Sequence, residues 1–179
     1  MDPATLARRY RYLWAGEALS AIIFVVLLVA SAAREGTWVN WIARAYGVGI
    51  VVWILVQAVV FWRWKSRLLA QGQRTLPAEV VLRFRFFKYL NWILIAAFPF
   101  VVLVEWLVAG RRISPLDIGL GMLFLLGAIV EQINYYHYQL MYFDSRYDWR
   151  YIKLHKRFRL GSIARMLTPT IFDHDKINL

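Results

Sequence analysis

Glu131, Asn134 and His137 recur at every third position where a long apolar run turns polar without a glycine or proline between. Tyr135, Tyr136, Tyr138 and Tyr142 surround them. At about 100° per residue, each step of three falls about 60° short of a full turn, so the trio forms an arc on a helix rather than a line. A carboxylate, an amide and an imidazole so placed can pass protons, hold a harder or borderline cation, or act as acid and base on a lipid. Glu17 stands inside another apolar run and adds a second carboxylate. An acid in hydrocarbon is costly to keep, so each one is a candidate site by default.

Each of these readings has a plainer rival. A carboxylate one turn from the membrane surface can reach water or pair with Arg11 and so serve packing alone. Tyrosines at that depth form the ordinary aromatic belt, and His137 there can be a hydrogen-bonded interface residue. Glu131 and His137 are six apart, not the i, i+3 or i, i+4 of helical metal motifs. No metal, cofactor or catalytic residue is therefore assigned. The chain has no cysteine, which excludes disulfides, zinc–thiolate sites and thiol catalysis. A phosphate-binding glycine loop, Gly-x-Ser-x-Gly and His-Glu-x-x-His are also missing.

The elements that must position these groups are long and greasy. Of 179 residues 60% are hydrophobic and 18% charged, against about half and a quarter in soluble domains. The excess lies in runs at about 13–33, 43–62, 89–109 and 115–140, each able to cross ~30 Å of hydrocarbon. A cleaved signal competes for the first run, given the basic start and Ala30-Ser31-Ala32. Glu17 within the apolar stretch counts against it. Gly47 and Gly49 offer close backbone approach in the second span. Pro77 suits the first turn of a helix entering the third span, and Pro99 should kink that span.

The connection 63–88 holds seven basic residues, and 146–179 holds eight. Within 146–167, Tyr147, Tyr151, Leu154 and Phe158 follow helical spacing beside a stripe of Arg146, Arg150, Lys153 and Arg157. That pattern predicts an amphipathic helix, lying on an anionic membrane or packed on the protein itself. With both termini in the cytosol, eighteen of the 22 basic residues fall on that side, which satisfies the positive-inside rule. The net charge of +11 then follows from topology, and no nucleic-acid partner is needed.

The expected architecture is an all-α integral membrane protein: a four-helix transmembrane bundle over 1–145 and a basic cytosolic part over 146–179. Counting turns from the cytosolic ends puts Glu17, Gln57, Asn91, Glu131, Asn134 and His137 at one level, with Glu105 at the other surface near Arg111 and Arg112. Three functions fit. The first is a non-enzymatic protein of the bacterial inner membrane whose basic cytosolic face binds anionic lipid headgroups, a partner membrane subunit or a second copy. The second is a channel, transporter or proton-handling unit using Glu17 and Glu131. The third is an enzyme acting on a lipid at the cytosolic leaflet through Glu131, Asn134 and His137. The first requires no catalytic residue and is preferred.

Overall fold

A computed structural model describes residues 2–34, 41–73, 75–109, 114–140, 153–154, 156 and 158–168. The helices are α1 (Pro3–Ala32), α2 (Ile42–Ala70), α3 (Ala78–Ala96), α4 (Phe98–Val108), α5 (Pro115–Tyr136) and a short α6 (Ala164–Leu167). Four stretches are long and apolar enough to cross a membrane: α1, α2, α3 with α4, and α5. Their outward faces carry the argument for a bilayer. Along α1, Leu19, Ile22, Val26 and Val29 are each more than half exposed. An apolar helix left this open needs hydrocarbon as its solvent.

The buried centre is α2, with α1, α4 and α5 packed against it. Ile54, Ala58 and Phe61 lie fully inside. At its start α2 meets α4 and α5, because the Ala43 N–H reaches Glu105 and Asp117. Near its other end it meets α1 and the returning C-terminal segment, through Tyr10 against Trp62 and Lys65 beside Met166.

Local chemistry sets the boundaries. Asp2 caps α1 by accepting from the Thr5 N–H at 3.3 Å, and Pro3 follows where a missing donor does no harm. Ala97 separates α3 from α4. Pro99, two residues on, has no N–H for the Ile95 carbonyl, so the kink expected there becomes a break between two helices.

Two sequence expectations are corrected. The helix α2 runs on into the connection 63–88 as far as Ala70, whereas the start of α3 at Ala78 is the one Pro77 predicts. Its leucines, lysines and arginines are good helix formers and need no hydrocarbon to stay helical. The stop is Gly72, at φ +67°. There the Gln73 N–H bonds to the Leu68 carbonyl and the Gly72 N–H to that of Leu69, a helix end that favours glycine.

The second correction concerns the C-terminal part. Residues 158–163 are not helical, so no single amphipathic helix spans 146–167. Here the chain returns across the end of α5, and Tyr138 bridges to Leu160 antiparallel. The N–H groups of Gly161 and Ile163 satisfy the His137 and Tyr135 carbonyls at 3.0 and 3.1 Å. A Cβ at Gly161 would sit 2.5 Å from the Asn134 and Tyr135 carbonyl oxygens. This docking also ends α5 at Tyr136, short of the expected 140. Of the expected basic stripe, Lys153 is exposed, and Arg146, Arg150 and Arg157 lie outside the described residues.

Candidate functional site

The six polar residues expected at one level do gather at one end of the bundle, but in three separate groups. The first is a buried amide knot. Asn91 of α3 donates through Nδ2 to the side-chain oxygens of Gln57 on α2 and Gln132 on α5, at 3.0 and 2.8 Å. Its Oδ1 accepts from Gln57 Nε2 at 3.0 Å and from Trp53 Nε1 at 3.1 Å. The Tyr136 hydroxyl donates to Gln57, and Gln132 Nε2 donates to the Lys88 carbonyl at 3.0 Å. Asn91 and Gln132 are wholly buried.

These hydrogen bonds satisfy one another and fix the register of three helices. Asn91→Leu should destabilise the fold by about 1–3 kcal/mol, because Trp53, Gln57 and Gln132 each lose a partner away from water. Unfolding in detergent of wild type and variant would check it. Gln132 belongs in the candidate set and was missed, because it breaks the every-third-residue pattern that singled out its neighbours.

The second group ties α1 to α5. The Tyr135 hydroxyl donates to Glu17, and Asn134 Nδ2 reaches Glu131 Oε2 at 3.4 Å. Glu17 and Glu131 thus both stand at this contact, held by the successive residues Tyr135 and Asn134. The Asn134 carboxamide oxygen accepts from the Leu140 N–H at 2.9 Å, so this residue also fastens the turn after α5.

The third group is His137, set apart from the carboxylates. Trp92 Nε1 donates to its Nε2 at 3.2 Å. An indole can only donate, so Nε2 must accept and the imidazole proton sits on Nδ1. Burial, helped by the nearby Lys88 ammonium, holds the imidazole pKa below its ordinary 6.5. The unfolded chain therefore binds a proton that the folded chain resists. Stability is full above pH 6.5 and falls as the pH drops from there to the folded value. Thermal melting compared above and below that window should show the loss, and His137→Gln should remove His137's share of it.

The other end of the bundle holds a cluster not foreseen in the sequence. Asp117, in the first turn of α5, accepts from the Ala43 and Arg44 N–H groups at 2.9 and 3.3 Å. Its Oδ1 also lies 3.3 Å from Arg44 Nε. Glu105 of α4 accepts from the same Ala43 N–H at 3.1 Å. Both acids are fully buried and Arg44 is 3% exposed. The helix α2 lacks a side-chain cap of its own, so these carboxylates supply it from two other helices. Glu105 thus meets the start of α2; the partners expected for it, Arg111 and Arg112, lie outside the described residues.

A cleft of about 250 Å³ opens at the amide-knot end, between α3, the turn after α5 and the returning segment. Arg85, Lys88, Tyr89, His137 and Tyr138 are among the residues lining it. Among the described residues, no three histidine, aspartate or glutamate side chains converge as metal ligands would. The chain matches no known family model, no curated protein and no solved structure.

Proposed function

We propose that this is a non-enzymatic membrane protein whose basic end binds anionic lipid headgroups. One observation carries the reading: most of the described basic residues collect at one end of the bundle. Arg8, Arg9 and Arg11 begin α1, Arg63, Lys65 and Arg67 close α2, and Arg83, Arg85 and Lys88 open α3. Those helix ends share the end of the bundle where Tyr10 meets Trp62 and Arg63 lies over Trp14. The other end holds Arg34, exposed just past α1, and the buried Arg44, which faces Asp117. The positive-inside rule puts a basic end in the cytosol, where a bacterial inner membrane presents its anionic leaflet to it.

Polar side chains elsewhere in the bundle are tied to one another, which suits holding helices together better than turning over a substrate. The test is lipid selectivity. Protein released gently from a mixed membrane and weighed intact should carry anionic phospholipid well above its share in that membrane, and the excess should shrink in high salt. Lipid retained in simple proportion to the membrane would remove the reading.

A further inference from the structure

We propose that the cleft between α3 and the end of α5 binds one phosphate group, and that it is where an anionic phospholipid is held. The proposal rests on the reading above and gives it an address. Arg85 and Lys88 are one turn apart on α3 and both line the cleft. Among the described residues, neither cationic group has an ion-pair partner. His137 adds a third donor: its Nε2 is taken by Trp92, which leaves the Nδ1 hydrogen for a ligand. Tyr89 and Tyr138 bring hydroxyls, and among the described residues no carboxylate lines the space. Two cations with hydroxyl and imidazole donors make a place for an anionic oxygen group, with charge-assisted hydrogen bonds as its strongest contacts.

Size narrows the ligand further. The cleft's roughly 250 Å³ is below the about 300–1,000 Å³ of pockets that enclose a drug-sized molecule. A phosphate with the start of its ester fits that space, and a whole lipid does not. The remainder of a lipid has somewhere to go. Tyr89 at 63% and Ile93 at 65% exposure stand one turn apart on α3, an apolar track leading from the cleft toward the hydrocarbon. A phosphate seated between Arg85 and Lys88 would leave its acyl chains along that track. The cation pair favours a headgroup with net negative charge over a zwitterionic one, whose ammonium would face the same cations.

The test uses the full chain in neutral detergent, as wild type and as R85Q/K88Q. Each is titrated with short-chain phosphatidic acid, short-chain phosphatidylcholine and inorganic phosphate. Binding is read by intact mass and by tryptophan fluorescence, to which Trp92 beside His137 contributes. The expected result is one phosphatidic acid per wild-type chain, bound at least about tenfold more weakly by R85Q/K88Q, the loss of one or two charged hydrogen bonds. Equal affinity in both proteins overturns the cleft. If both still prefer phosphatidic acid to phosphatidylcholine, the basic-end reading survives without the cleft; if wild type shows no such preference, both fall. Inorganic phosphate that competes at the same concentration as the lipid would make free phosphate the ligand and overturn the lipid assignment. Should R85Q/K88Q fail to fold, R85Q replaces it, because the Arg85 side chain is exposed; an unchanged affinity there also overturns the proposal.

Discussion

Asp117→Ala should cost about 3–5 kcal/mol of stability, the penalty for removing one partner of a buried ion pair. Arg44, 3% exposed, would keep its charge in a low-dielectric interior without the Asp117 carboxylate. Two N–H groups at the start of α2 would lose an acceptor in the same step. Glu105 keeps its bond to Ala43, which pulls the expected loss toward the lower end of the range. For a chain of this size the melting temperature in detergent should fall by roughly 10 °C. Asp117→Asn separates charge from hydrogen bonding: it keeps an acceptor for the α2 N–H groups and should fall between wild type and Asp117→Ala. Arg44→Met made together with Asp117→Asn should recover part of the loss, since it removes the buried charge that Asp117 neutralises. An Asp117→Ala protein that melts with wild type would mean the ion pair contributes nothing to the fold.

Length and hydropathy made the four apolar helices legible, because crossing hydrocarbon demands both and little else in this chain supplies them. Pro77 and Pro99 marked the start and the interruption of the third span for a local reason, the fixed ring and the missing donor. Depth counting brought Glu17, Gln57, Asn91, Glu131, Asn134 and His137 to one end. What depth cannot give is direction around each helix, so the division into an amide knot, a carboxylate pair and a lone histidine was hidden, and so was the place of Gln132. Arg44 read as a topology charge because its partner Asp117 is 73 positions away; such a pair exists only once α2 and α5 are packed. The C-terminal pattern was extended too far: Lys153 and Leu154 are helical, but 158–163 are not. Helical spacing at Tyr147, Tyr151, Leu154 and Phe158 says nothing of a backbone partner, and the open carbonyls at the end of α5 draw Gly161 and Ile163 out of any helix.

The crossing of α2 and α5 leads to the second large effect. A Cβ on Gly47 would lie 2.5 Å from the Gly121 carbonyl oxygen and 3.1 Å from Phe124 Cβ. One on Gly121 would lie 2.8 Å from the carbonyl of Ala43. The two helices touch backbone to backbone, so no rotamer change can make room. Gly47→Val should therefore exceed the about 1–3 kcal/mol usual for overpacking, where flexible side chains give way. It also acts on the ion pair. Ala43 and Arg44 stand one turn before Gly47, and pushing α2 off α5 draws their N–H groups away from Asp117. Gly47→Val and Asp117→Ala should consequently destabilise less together than the sum of the two alone. The sequence offers Gly47 and Gly49 as equals, whereas nothing lies within 4 Å of a Cβ at Gly49. Gly49→Ala should be neutral or gain up to about 1 kcal/mol from helix propensity. If alanine at positions 47 and 49 shifted the unfolding midpoint equally, α2 and α5 would not meet at Gly47, and the packing that aligns Arg44 with Asp117 would have to be different.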